Sequence, residues 1–247
     1  MIKAVLLDLD GTVYNGNKLI DGSDEAIAGM RDAGIHVLFC TNNSSKLPSS
    51  ISKKLNGMGV DCVEEDVISS GMMAIQYVLD AGLDDLYVLG SEELKGGFID
   101  HGITITDEND VRSMVIGMDS EFDYVKMTSG LRAAFKADRI ILCNEDRWFE
   151  KEDGMYPGCG GMTSSILHCS GKQPDLVIGK PNVLMMEHVS RRYGYTPGEM
   201  LVIGDSMESD VAMACRYGSP YLLIDENRKG DCVISSLADV INRDWSL

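Results

Sequence analysis

No cysteine in this sequence belongs to a CxxC pair, and the seven present are scattered as Cys40, Cys62, Cys143, Cys159, Cys169, Cys215 and Cys232. An odd, unpaired set of this kind argues against a disulfide framework and against a thiolate zinc site. Strings such as VLFC and IILC place several of the thiols in apolar runs, where buried reduced cysteines belong. The four histidines, His36, His101, His168 and His188, form no HExxH or related metal-ligand spacing. No strand-like run is followed by GxGxxG, which disfavours a nicotinamide dehydrogenase. Basic residues are scarce, with 22 Lys and Arg against 39 Asp and Glu and a formal charge of -17. So acidic a surface repels phosphate backbones and anionic bilayers, so neither nucleic acid nor a membrane is expected as a partner. No stretch approaches the ~20 apolar residues of a membrane span. The N-terminal apolar run is cut at Asp8, too early for a signal peptide. Internal repeats, low-complexity tracts and heptad runs are also missing, and a reducing cytoplasm is the expected location.

What is present is an alternation of strand-like and helix-like strings. Ile2 to Leu7 is continuously apolar, as suits a strand covered on both faces. SDEAIAGMRDAG then offers Ser23 as an N-cap, Ile27 and Met30 at helical spacing and Gly34 as a stop. HVLFC, residues 36–40, predicts a second buried strand, and SKLPSSISKKLNGMG puts Leu47, Ile51, Leu55 and Met58 on one helical face. The last third repeats the pattern through DLVIG (175–179), NVLMMEHVSRRYG, MLVIG (200–204), ESDVAMACRYG and PYLLI (220–224). Both segments read as pieces of one doubly wound parallel sheet. Between them lie further strand candidates (LYVLG, MVIGM, RIILC) and helix candidates (MMAIQYVLDAG, FDYVKMTSGLRAAF). A stretch of about 100 residues is domain-sized. The expected division is therefore a core of residues 1–70 and 172–247 with an inserted domain at 71–171.

Ligands of open parallel sheets bind outside the carboxyl ends of the strands, and the unusual polar residues of this chain fall there. The first strand is followed by Asp8, Asp10, Gly11 and Thr12, and the second by Thr41, Asn42, Asn43, Ser44 and Ser45. Later strands lead into Gly179-Lys180-Pro181 and into Gly204-Asp205-Ser206, with Asp210 five residues beyond Asp205. Several carboxylates in one crevice raise each other's pKa unless a cation joins them. A hard divalent ion such as Mg²⁺ takes carboxylate oxygens together with substrate phosphate. Thr41 and Lys180 supply a hydroxyl and a fixed positive charge suited to phosphate oxygens. An Asp held in line with phosphorus is a competent nucleophile, and Asp10 is spaced to protonate a leaving group and then deprotonate a water. An EF-hand does not fit, because positions six and twelve counted from Asp8 are Val13 and Leu19.

DLDGT, TNNSS, the distant Lys180 and GDSMESD resemble, in order and spacing, the four signature motifs of the haloacid dehalogenase superfamily. The long insert, with GMYPGCGGMTSSI leading to VIGKP, is similar to the NagD-like, p-nitrophenyl phosphatase subfamily. The resemblance implies an α/β fold, a Rossmann-like doubly wound parallel sheet with an inserted α/β cap domain. It implies Asp8 as nucleophile and Asp10 as general acid and base. It gives the Mg²⁺ site to Asp8, the Asp10 backbone carbonyl and Asp205, with Asp210 supporting from a second layer. It assigns phosphoryl binding to Thr41, the Asn42 amide and Lys180, and substrate choice to cap residues that include Asn144 and Asp146. Glu145 stands where relatives often have proline, and Ser206 and Ser209 replace residues common in the fourth motif. The implied partner is a small phosphorylated molecule, and pairing of two copies through the cap is common in families of this look.

These residues predict a Mg²⁺-dependent phosphatase that hydrolyses a small phosphomonoester through an aspartyl-phosphate. A phosphotransferase or phosphomutase on the same core would hand the phosphoryl group to another acceptor. A signalling module would hold phosphoaspartate on Asp8 without turnover, and a fold that only binds a partner would lose nothing when Asp8 is changed. A dehalogenase needs neither Asp10 as an acid nor a metal site built from Asp205.

Overall fold

The apolar run after Ile2 becomes strand β1 (Ala4–Leu7), with every residue buried. In this computed structural model, residues 1–151, 153–241 and 245 are described. Glu152 of the expected insert and residues 242–244, 246 and 247 of the expected core lie outside the described residues. A short hairpin, β2 (Tyr14–Asn15) and β3 (Lys18–Leu19), leads to helix α1 (Ser23–Asp32). Ser23, expected as its N-cap, is instead the first helical residue and is buried. The cap position is taken by Gly22 at φ +81°, a conformation that favours glycine. Strand β4 (His36–Thr41) follows, then α2 (Pro48–Gly57). That helix starts at Pro48 and not at Ser45, because proline suits a first helical turn and disfavours helix in the residue before it. Leu47 therefore lies outside the helix, while Ile51 and Leu55 bury as the spacing predicts.

Strand β5 (Val67–Ser69) runs into α3 (Ser70–Asp80), where the Ser69 side chain accepts from the Met72 amide. Then come β6 (Asp85–Leu89), α4 (Glu92–Asp100), β7 (Thr104–Ile105), β8 (Ser113–Ile116), α5 (Tyr124–Lys136) and β9 (Arg139–Leu142). A hairpin of β10 (Trp148–Lys151) and β11 (Gly154–Pro157) precedes α6 (Cys159–Ser170) and β12 (Leu176–Val177). The chain finishes with α7 (Leu184–Tyr193), β13 (Met200–Gly204), α8 (Ala212–Tyr217), β14 (Tyr221–Ile224) and β15 (Val233–Ile234).

Two compact units result: Met1–Thr41, Pro48–Ile68 and Lys180–Leu247 form one, and Asn42–Leu47 with Ser69–Gly179 the other. Among the described residues, the first unit holds a six-stranded sheet in the order β15-β14-β13-β1-β4-β5. Strand β1 lies parallel between β13 and β4, with Ala4 opposite both Met200 and His36. Its core gathers Val5, Leu7, Phe39, Ile27, Met30 and Leu55. The second unit holds a parallel five-stranded sheet in the order β12-β9-β8-β6-β7. Met114, Ile116, Ile140 and Leu142 of that sheet pack with Ala133, Ala134 and Ile166. The α/β class with a doubly wound parallel core and a separate α/β insert is thus what the sequence predicts. One strand differs: DLVIG, expected in the core sheet, supplies β12, and Leu176 and Val177 pair with Ile141 and Leu142 in the second sheet. No helix among the described residues is long and apolar enough to cross a membrane.

Candidate active site

In the core sheet β13, β1 and β4 are neighbours and parallel, so their carboxyl ends open on one edge. There β1 delivers Asp8 and then Asp10, β4 ends on Thr41, and β13 ends on Gly204 before Asp205. The Asp8 amide donates to the Ile203 carbonyl at 2.9 Å, which prolongs the sheet register to the nucleophile candidate itself. Lys180, where the chain re-enters the first unit, is only 3% exposed. Its Nζ donates to Asp8 Oδ1 at 2.5 Å, to Asp210 Oδ1 at 2.6 Å and to the Cys40 carbonyl at 3.0 Å. The ammonium thus has three acceptors in the first unit, and a buried charge is matched by two buried carboxylates.

Asp210 reaches this position through a wide turn at residues 207–211. The Val211 amide donates to the Ser206 carbonyl, an i to i+5 bond, and Ser206 Oγ accepts from the Ser209 amide at 3.2 Å. Insertions of this kind into a helix start occur often at functional sites. The Ser206 amide in turn donates to Asp210 Oδ2 at 3.2 Å. Two glycines make room for the acids. A Cβ on Gly204 would run into the Asp210 carboxyl, and one on Gly11 would run into that of Asp205. Gly11 also sits at φ +83°, in the left-handed region.

Asp8, Asp205 and Asp210 each offer an oxygen within 4.8 Å of the others, the one group of potential metal-holding acids among the described residues. The Asp10 side chain is not part of it. Burial pushes Asp8 well above the usual carboxylate range, Asp210 and Asp205 add to the rise, and Lys180 opposes it. Asp205 is pushed up to about 6, first by desolvation and then by Asp210. Burial alone would pull Lys180 down, but Asp210 and Asp8 hold it well above its ordinary value. Asp10 keeps an exposed face, yet loss of water to the surrounding protein raises it, against the pull of Lys54, Tyr14 and Lys180.

The other expected site residues collect within the second unit. The Asn42 side-chain amide donates to Asp146 Oδ1 at 3.0 Å. Its backbone carbonyl accepts from Asn144 Nδ2 at 2.7 Å and from Ser70 Oγ at 2.6 Å. Asn144 is buried, and its Oδ1 accepts from the Asp146 amide at 3.1 Å. The glycines of GCGG serve close approach in this loop: a Cβ on Gly158 or Gly160 would strike the carbonyls of Asp146 or Glu145. Sequence reasoning missed Tyr14 and Lys54. Tyr14 Oη donates to Asp10 Oδ2 at 3.3 Å, and Lys54 Nζ stands 3.6 Å from the Tyr14 ring centroid. A signal for Tyr14 existed in its place four residues past Asp10, whereas a lysine at the rim of an apolar helix face ordinarily just extends to water.

A parallel α/β sheet whose adjacent strands lead into Asp8, Thr41 and Asp205, with a buried lysine bonded to Asp8 and Asp210, defines an α/β protein with an acid-lysine centre at its strand ends. Residues 5–104 match the haloacid dehalogenase-like hydrolase family, and residues 177–240 match the HAD-hydrolase-like family. The 5'-nucleotidase YutF of Bacillus subtilis is 34% identical over 90% of this chain and 86% of its own. An acid sugar phosphatase of Staphylococcus aureus is 30% identical over 98% of this chain and 91% of its own. The solved 4-nitrophenylphosphatase of Thermotoga maritima superposes with a TM-score of 0.91 at 27% identity, covering 98% of this chain and 97% of that one. The chain belongs to the haloacid dehalogenase-like hydrolases, in their NagD / p-nitrophenyl phosphatase branch.

Proposed function

We propose that this protein hydrolyses small phosphomonoesters through a phosphoryl group carried briefly on Asp8. The observation that carries the reading is the Lys180 ammonium seated between Asp8 and Asp210 at the strand edge that also presents Asp205. The donor set fits a divalent cation: the oxygens of Asp8, Asp205 and Asp210 are hard ligands that lie within 4.8 Å of one another, and the three carboxylates are accompanied by one bonded ammonium, that of Lys180. Asp8, Asp205 and the Asp10 carbonyl would hold Mg²⁺, with Asp210 behind them. When bound, the ion supplies positive charge that offsets the charge on the phosphoryl oxygens.

The chain's own groups do the rest. Lys180 orients Asp8 and screens its approach to an anionic substrate. The Thr41 hydroxyl and the Asn42 amide position phosphoryl oxygens. As an Asp8 oxygen bonds to phosphorus, the ester oxygen departs with the electron pair of the breaking P–O bond and takes a proton from Asp10. Asp10 then receives a proton from the water that attacks the aspartyl-phosphate, which frees inorganic phosphate and restores both acids. The inserted unit, 71–171 in the sequence division, chooses the leaving group, with the loop at Asn144 and Asp146 as its candidate. Nucleotides and sugar phosphates are the first classes to try, because they are what the named relatives act on. Seven unpaired thiols suit a reducing cytoplasm.

The test is phosphate release from a panel of nucleoside monophosphates, sugar phosphates and aryl phosphates, with Mg²⁺ or with EDTA. Metal-dependent release by the wild type and its loss in Asp8→Asn are expected. Release by Asp8→Asn at the wild-type rate would overturn the reading.

A further inference from the structure

Asp10 is gripped from one side. Its Oδ2 accepts from Tyr14 Oη at 3.3 Å, the Tyr14 residue is 2% exposed, and the Lys54 ammonium lies 3.6 Å over the ring. The backbone fixes this pairing. The Gly11 amide donates to the Tyr14 carbonyl at 2.9 Å, and the Val13 and Tyr14 amides both donate to the Leu9 carbonyl, at 2.8 and 3.1 Å. Tyr14 also packs in the same core as Leu9, Ile27 and Leu55, so its hydroxyl has little freedom to wander.

We propose that Tyr14, with its ring held by Lys54, is a positioning residue that presents the second oxygen of Asp10 to the leaving group. The proposal rests on the phosphatase reading above. A carboxyl group turns about its Cβ–Cγ bond, and its proton is useful only on the oxygen that faces the departing ester oxygen. By donating to Oδ2, the Tyr14 hydroxyl fixes the carboxyl plane and makes Oδ2 an acceptor, so the transferable proton sits on Oδ1. When the P–O bond breaks, its electron pair goes to the ester oxygen, and that oxygen takes the Oδ1 proton. The Asp10 carboxylate left behind keeps the Tyr14 hydrogen bond, which is stronger to a charged acceptor. In the second half-reaction water passes its proton to Oδ1 while its oxygen bonds to phosphorus. Lys54 holds the ring through its face, where a cation is attracted by the aromatic quadrupole, and its charge also bears on Asp10 directly. A purely packing role for Tyr14 has a different consequence, because it would not care which ester is being cleaved.

The deciding measurement compares kcat/KM for two esters. One is the alkyl phosphate that the wild type turns over fastest among glycerol phosphate, ribose 5-phosphate and nucleoside 5'-monophosphates, whose alkoxide needs a proton to leave. The other is p-nitrophenyl phosphate, whose phenolate leaves unassisted. The ratio kcat/KM reports only steps up to departure of the leaving group, so slow hydrolysis of the aspartyl-phosphate does not blur it. Tyr14→Phe keeps the ring and its packing, and it is expected to lose roughly 10–100-fold on the alkyl ester and less than about 3-fold on the aryl ester. Lys54→Met should show the same imbalance more weakly, and Lys54→Arg, which keeps a cation over the ring, should return the ratio of the two esters toward that of the wild type. Equal losses on the two esters, or none on either, overturn the proposal and leave the phosphatase reading standing. A wild type that cleaves only the aryl ester has no proton donation to position and overturns it as well. A wild type that releases phosphate from neither overturns both.

Discussion

A single lysine holds the charge balance of the site. Lys180 is bonded to Asp8 and Asp210 away from water, and removing one member of a buried ion group strands the others. Lys180→Met is expected to lose about 3–5 kcal/mol of stability, measured by urea unfolding, and to release no phosphate. Added Mg²⁺ should recover part of that stability, because the stranded carboxylates lie among the candidate metal ligands. Gly11 makes a separate demand. An alanine there would meet both the strain of φ +83° and the Asp205 carboxyl, so Gly11→Ala is expected to lose about 1–3 kcal/mol and to lower phosphatase activity with it. A variant as stable and active as the wild type would contradict this account of the turn. At this scale the sequence was informative where chemistry sits at strand ends: Asp8, Lys180, Asp205 and Asp210 are readable because charged residues interrupt buried runs. Tyr14 and Lys54 were not readable as a pair, since only the fold brings a helix lysine over the ring of a residue forty positions earlier.

Elements differ in how far local pattern decides them. β1 and β13 are wholly buried in the core sheet, and their unbroken apolar runs announced it. DLVIG looks the same in sequence, yet its strand is claimed by the second sheet, because an apolar run states that it will be covered and not by what. The start of α2 at Pro48 and of α1 after Gly22 are likewise choices of backbone geometry that side-chain spacing does not record. Phe39, fully buried in β4 between β1 and β5, is expected to lose about 3–5 kcal/mol on change to Ala, readable as a shift in the urea midpoint. The first residue of β4 gives a pH dependence. Burial pulls His36 below its ordinary value of 6.5, Asp66 opposes this, and Arg31 and Arg192 add to it. Between the folded value and 6.5 the unfolded chain therefore binds more protons, so stability rises with pH through that window and levels off above it. The raised acids of the site titrate against this trend, so the readout is a difference: the melting temperature of the wild type minus that of His36→Gln, followed from about pH 5 to 8, should increase with pH, and a constant difference would contradict the account.

The whole molecule carries a formal charge of -17, and self-repulsion of that size works against any compact state. Raising NaCl from ~10 to ~150 mM shortens the screening length to about 8 Å and is expected to raise the melting temperature. Mg²⁺ at equal ionic strength should raise it further, and Asp205→Asn should remove only that additional rise; an identical response to the two salts would count against a dedicated cation site. The path of the chain between its two units has a consequence for anyone who would exchange one insert for another. The second unit is stitched in twice, by the six residues Asn42–Leu47 as well as by Ser69–Gly179. A chimaera cut only at the longer segment would import a foreign insert while keeping the host's Asn42, whose carbonyl and amide are spoken for by Ser70, Asn144 and Asp146. The second unit of this protein is therefore transplantable only as a matched pair of segments, the short stitch moving together with the long one.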